Sequence, residues 1–397
     1  MSGPAGTVRS APALRPLDIA YGIPMGMDPV GALGRRSPAI TPAAAIDAVL
    51  TEALTRAPCL ISFSGGRDSS AMLAAAVAVA RREGLDLPVP ATLVFPQSED
   101  SNEDEWQALV LGHLGLTEWE RFEIHDEFDA VGPVARAALL RHGLLWPFNT
   151  HFHAPIIERA AGGSVVTGFG GDELGNSLAA ARAERILGTR HLASWRDLLV
   201  VGLAVSPETV RAAVHRRRAA AELSEVTWLT TEGVRQVTRA FGATEGAIPL
   251  GWEAKLREWI WPGRYFRLCV ESFAAMGSFH DVAVVHPFVE PTVLDALGSS
   301  GGFRGLGDRT ELMRQVFGDL LPAELIERRT KAGFTDPLWT ETARTFAREW
   351  SGEGVDRDLV DPDALRRHWL SDSPHLVSTT LLQAAWLHDH GHPVVTA

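Results

Sequence analysis

Residues 59–80 read CLISFSGGRDSSAMLAAAVAVA. A short apolar run enters a Ser-Gly-Gly-x-Asp-Ser turn, and an Ala-rich stretch of helix-forming composition leaves it. Buried strand, glycine turn and helix in that order make a phosphate-binding device. Gly65 and Gly66 carry no Cβ and tolerate positive φ, so the backbone there approaches a polyanion closely. The free N–H groups and positive dipole end of a helix from about Ser70 face the anion. Ser64, Ser69 and Ser70 add hydroxyl donors, and Asp68 offers a carboxylate to a magnesium ion bridging the phosphates. The stretch is not the GxxxxGK(S/T) loop used in γ-phosphoryl transfer.

Around this stretch, short apolar runs alternate with helical patterns. Residues 41–56 form a helix, with Thr41 as N-cap and Pro42 at the first helical position. CLISF, ATLVF, ERFEI and SVVTG read as strands, separated by helices after Ser70, around Glu103 to Leu114 and near Ala154 to Ala161. Such alternation predicts an α/β fold, a parallel sheet covered by helices on both faces, followed by a mainly helical C-terminal portion. Ligands of such sheets bind at the carboxyl ends of the strands. That rule gathers the Ser-Gly-Gly loop, Phe95 to Gln97 and Gly168 to Asp172 on one rim. The expected divisions are an irregular N-terminal extension over 1–40, an α/β core carrying the phosphate-binding loop over 41–178, a helical segment over 179–262 and a C-terminal part over 263–397.

The motifs also carry a family resemblance. SFSGGRDSS resembles the PP-loop of the ATP pyrophosphatase (adenine nucleotide α-hydrolase) superfamily, which grips pyrophosphate while a nucleophile attacks the α-phosphate. GSVVTGFGGDELG, residues 163–175, resembles the GxGxDE signature of the synthetase domain of asparagine synthetases. LPAELIERRTKAGF (321–334), VVHPFVE (284–290) and PQSEDSNEDEWQALVLGHLGL (96–116) resemble further segments of the same family, in the correct order from about residue 45 onward. The RRTKAGF form and the HPF strand look closest to the lasso-peptide macrocyclase branch.

The resemblance implies ATP and Mg2+ as cofactors and an adenine nucleotide α-hydrolase-like fold. Asp172 becomes the second metal carboxylate beside Asp68, and Phe95, Gly168, Gly170 and Gly171 line the nucleotide pocket with the loop residues, while Glu173 shapes its own loop. Lys331 is the cation that stabilises charge during the chemistry. A base must take the proton of the attacking amine. Asp281 is favoured for it, with His280 and Glu271 as alternatives and Tyr265 as an orienting phenol.

Glutamine-dependent relatives carry an N-terminal glutaminase domain with a cysteine nucleophile directly after the initiator methionine. Here Ser2 stands at that position, and the only cysteines are Cys59 and Cys269. Some sixty residues before the PP-loop are at the bottom of the domain size range, so no glutaminase is expected. The nitrogen then comes from ammonia, from a partner protein that supplies ammonia or delivers peptide, or from an amine on the substrate. Macrocyclases use an amine but usually retain a glutaminase-like domain, so the branch stays open. A net charge of −12 argues against nonspecific nucleic-acid binding. Two cysteines, no membrane-length apolar run and no signal-peptide core fit a cytoplasmic protein. His151 and His153 form an HxH pair with no nearby cysteine or third ligand at a zinc spacing, so no zinc site is expected there. The function expected is an AMP-forming amide ligase joining a carboxylate, such as one on a peptide, to an amine. The alternatives are an ammonia-dependent asparagine synthetase and a nucleotide-binding pseudoenzyme or scaffold.

Overall fold

Strand β1, Cys59–Ser62, is the middle strand of the sheet and pairs in parallel with a neighbour on each side. The computed structural model describes residues 13–34, 40–96, 102–174, 183–184, 186–187, 195–328 and 338–392. Lys331 and Gln97 lie outside these described residues.

In chain order the first half runs α1 (Pro16–Tyr21), α2 (Pro42–Leu54), β1, α3 (Arg67–Glu83), β2 (Val89–Val94), α4 (Asp104–Leu114), β3 (Glu120–Glu123), α5 (Pro133–His142), α6 (Ala154–Arg159), β4 (Ser164–Val166) and α7 (Gly171–Leu174). The second half is mostly helical: α8 (Trp195–Ala204), α9 (Glu208–Glu222), α10 (Thr231–Gly246), α11 (Trp252–Lys255) and α12 (Arg264–Phe279) precede β5 (Ala283–Val285). After β5 come α13 (Pro291–Gly301), α14 (Arg309–Phe317), α15 (Ala323–Glu327), α16 (Glu341–Glu349), α17 (Pro362–Trp369) and α18 (Thr379–Asp389). Among the described residues no single helix is long and apolar enough to cross a membrane.

The five strands take the order β3-β2-β1-β4-β5, all parallel. From β1 the chain winds outward to β2 and β3, then returns to lay β4 on the other side of β1. The winding direction reverses between β1 and β4, and a crevice opens at their carboxyl ends. The predicted α/β class with a parallel sheet is therefore the observed one. Alternation along β1 serves two cores. Leu60 joins Val165 and the helices on one face, while Ile61 and Val166 join the other. Helix α3 is buried from Ser69 through Val77, and its run of alanines lets it sit close against β1 and α2. Thr41 caps α2 as expected, accepting from the Ala44 amide at 3.2 Å.

Within the stretch expected to be an irregular extension, Pro16–Tyr21 form a helix that packs on the rest of the chain. Leu14 and Ala20 are buried, and the Asp18 carboxylate meets Arg264 at 2.6 Å. Helix α1 spans barely two turns, too short to show a periodicity in the sequence.

Candidate functional site

The crevice between the ends of β1 and β4 is a cleft of about 490 Å³. One wall is the Ser-Gly-Gly loop. Gly65 turns it with φ of +83°, and Gly66 stands at the N-cap of α3 in extended conformation. Inside the loop, Ser69 Oγ accepts from the Ser64 amide at 3.2 Å and donates to the Gly66 carbonyl at 3.1 Å. Ser64, Gly66, Asp68 and Ser69 line the cleft. Ser70, expected beside them, is fully buried on the inner side of α3 and is not part of the lining. The helix begins at Arg67, so Ser70 already lies on its second half-turn, pointing into the core.

The second wall follows β4. Gly168 lies against the loop so tightly that a Cβ there would sit 2.7 Å from the Ser69 nitrogen. A Cβ on Gly171 would sit 2.4 Å from Asp68 Cγ. The two motifs, a hundred residues apart in sequence, are thus in van der Waals contact. Gly170 instead faces Phe288 and Val289. Thr167 Oγ1 bonds His286 Nδ1 at 2.6 Å and accepts from the Phe169 amide at 3.2 Å, which fixes this turn.

Asp68 and Asp172 face a common partner. The Arg309 guanidinium, at the start of α14, meets Asp68 Oδ2 at 2.5 Å and pairs with Asp172 Oδ1 through its other nitrogen. Burial pulls the Arg309 group down, but the charges of Asp68, Asp172 and Glu173 outweigh it and hold it above its ordinary value. Two carboxylates one guanidinium apart are the oxygen donor set a hard divalent cation takes, so their chemistry fits magnesium. Two more arginines line the cleft. Arg67 donates to Thr310 Oγ1 at 3.1 Å, and Arg328 grips Glu103 with both terminal nitrogens while stacking over Trp106 at 4.7 Å. Sequence reasoning assigned none of these arginines. Arg67 and Arg328 sat inside quoted motifs, while Arg309 carried no local signal.

Tyr265 packs on Phe169 at 6.4 Å and on Trp146 at 5.6 Å. Burial, then the charges of Glu173, Cys269 and Asp172, push its phenol well above the usual range. Phe95 ends β2 but is buried against Phe152 at 5.7 Å and does not line the cleft. The structure does not bring Asp281 to this rim. It precedes β5, at the amino end of the sheet, with φ of 55° and a carboxylate 3.5 Å from Arg56. Its side chain is 88% exposed. His280 stands on the same far rim, its carbonyl accepting from the Gly162 amide. Glu271 pairs with Arg267 along α12 at 3.3 Å.

The loop, the cleft and the facing carboxylates agree with one comparison. Residues 44–388, from α2 to the last helix, match the family model of asparagine synthase. The chain belongs to the asparagine synthase family. Its members are ligase-type synthetases that use ATP and act on a carboxylate and an ammonia or amine. No curated protein matches this asparagine synthase family chain.

Proposed function

We propose that the cleft activates a substrate carboxylate with ATP, releasing pyrophosphate, and passes the acyl group to an amine. The observation that carries this reading is the Ser-Gly-Gly-x-Asp-Ser loop at the winding reversal, with Asp68 and Asp172 gathered onto Arg309 beside it. The cleft volume lies within the range of small-molecule sites.

In this mechanism the loop amides at Gly66 and the start of α3 hold the terminal phosphates, and Arg67, Arg309 and Arg328 supply positive charge for them. Magnesium, held by Asp68 and Asp172, would neutralise phosphate charge. The substrate carboxylate attacks the α-phosphorus, pyrophosphate leaves, and an acyl-adenylate remains. An amine then attacks the acyl carbon, and AMP departs. Lys331 is assigned the stabilisation of the charge that develops. The substrate we assign is a peptide carboxylate in natural-product biosynthesis, such as lasso-type macrocyclisation, on the likeness of RRTKAGF and HPF to that branch. The Phe169 and Phe273 rings lining the cleft, with Tyr265 packed behind Phe169, give an apolar wall for such a substrate.

The test is ATP–pyrophosphate exchange across aspartate, glutamate and short peptides bearing either side chain. Carboxylate-dependent exchange, with AMP as the nucleotide product, is expected. ADP and phosphate as products overturn the reading. Product from aspartate and ammonium salts selects the asparagine synthetase alternative, and no turnover of any carboxylate selects the scaffold. Asp68→Asn and Asp172→Asn each abolish exchange while the fold persists.

A further inference from the structure

Forming an amide from an acyl-adenylate requires a base, because the attacking nitrogen must shed a proton as the C–N bond forms. The described side chains lining the cleft offer few. Asp68 is tied to Arg309 and Glu103 to Arg328. Burial first, and then Glu173, push the Cys269 thiol far up, so it stays protonated. Phe169, the variable position of the Gly-x-Gly-x-Asp-Glu stretch, is apolar. Asp281 and His280 are on the opposite rim.

His153 differs from all of these. It closes the single turn Thr150–His153 that feeds α6 and then β4, which sets it on the loop side of the sheet. Its ring lines the cleft together with Asn149, Thr167 and Gly168. It is held edge-on against Phe273 at 4.8 Å, and Phe273 in turn against His286 at 5.0 Å, which Thr167 anchors. Its Nδ1 is buried and has no hydrogen-bond partner. The neighbouring His151 has a structural task instead, being buried with Nε2 3.1 Å from the Phe128 carbonyl. The HFH stretch therefore splits into one core histidine and one cleft histidine.

Resting on the ligase reading above, we propose that His153 is the catalytic base of acyl transfer. Its imidazole takes the proton of the amine as the amine attacks the acyl-adenylate carbon. The C–N bond forms, the bond between acyl carbon and phosphate oxygen breaks, and AMP leaves with the electron pair. The proton on His153 then passes to solvent through the cleft mouth, restoring the neutral ring. Burial, then the charge of His151, hold the ring down at about 4, so it is unprotonated and ready at neutral pH. The groups facing it are His151 on its own turn, His286 beyond β5, Cys269 on α12 and the cleft arginines with their carboxylates. An adenylate phosphate brings negative charge that favours imidazolium, so the acceptor strengthens when the intermediate is present.

The experiment separates the two half-reactions in the full chain. Wild type, His153→Gln, His153→Asn and Glu173→Gln are assayed for ATP–pyrophosphate exchange and for amide product, with the carboxylate that gives exchange in the panel above. Exchange is expected to persist in both His153 variants, which also shows that they fold. Amide formation is expected to fall by about 10²-fold or more. The acid limb of the wild-type transfer rate vanishes in those variants, and added imidazole restores part of the rate. Parallel loss of exchange and transfer, or a full transfer rate with Glu173→Gln carrying the loss instead, overturns the assignment. Absence of exchange in wild type overturns the ligase reading and this proposal with it, and so is told apart from failure of His153 alone.

Discussion

Gly171→Ala is the sharpest test of the packing between the two glycine motifs. A methyl group there would lie 2.4 Å from Asp68 Cγ and 2.5 Å from its Oδ1. Ordinary carbon contacts are about 3.5–4.0 Å, so Asp68 must retreat by about 1 Å. The obstacle is a side chain that is 15% exposed and can rotate, not backbone, so the stability cost falls at the low end for overpacking, about 1 kcal/mol. The functional cost is larger. A carboxylate displaced by about 1 Å from its working position loses about 10²-fold in rate. Thermal unfolding and ATP–pyrophosphate exchange on the same preparation read both quantities. Gly112→Ala is the control, since nothing lies within 4 Å of its added methyl and α4 gains stability by about 0.5–1 kcal/mol. A Gly171→Ala enzyme that melts slightly early but exchanges at the wild-type rate would refute the role given to Asp68.

Glu103→Gln takes the carboxylate out of a pair whose two members are only 5% and 6% exposed, and costs about 3–5 kcal/mol. The double variant Glu103→Leu with Arg328→Met should melt above the single one, and a lower melting temperature contradicts this. Arg309→Met removes the guanidinium that bridges Asp68 and Asp172, so magnesium chloride alone should raise its melting temperature more than that of wild type. Equal shifts would show that the two carboxylates do not form one site. Acid should destabilise the fold through histidines, since burial holds His142, His151 and His153 at about 4 and His286 at about 3. The unfolded chain binds protons first, so stability is full above about pH 6.5 and is lost as pH falls toward 4. For His151 alone the span from 6.5 to about 4 corresponds to about 3 kcal/mol, and a flat melting profile across that window would contradict it.

The sheet and its rim were legible because each strand carried its own local signal, an apolar run followed by a turn or a helix. The loop at Ser62–Ser70 needed no partner to be recognised. What the local signal lacks is the return of β4 to the side of β1, and with it the contact of Gly171 with Asp68. Asp281 shows the opposite failure. Nearness in sequence to the Pro-Phe turn favoured it, yet it enters β5 rather than leaving it, and strand direction decides the rim. His153 was passed over because no third metal ligand accompanied it, although a base needs none. Arg309 was invisible for a different reason. It lies more than two hundred residues from Asp68, and nothing around it in sequence marks a phosphate site.

The net charge of −12 and the proposed ATP site are reconciled by local placement. Among the described residues, Arg67, Arg309 and Arg328 on the cleft wall stand against Asp68, Asp172 and Glu103, three cations facing three carboxylates. The balance is not symmetric in strength. Arg328 is clamped by a buried bidentate pair and is fixed, whereas Arg309 is 23% exposed and bridges two carboxylates that a divalent cation would also favour. Among the described residues Arg67 donates to Thr310 and to the Ile326 carbonyl, and burial followed by the charge of Arg309 holds it below its ordinary value. In the proposed site an incoming polyphosphate would relieve that repulsion by lying near both cations, and a divalent cation entering with it would compete with Arg309 for Asp68 and Asp172. The rim where β1 and β4 end thus holds three arginines within reach of the Ser-Gly-Gly loop, which is where the proposed phosphate site needs positive charge whatever the net charge of the chain.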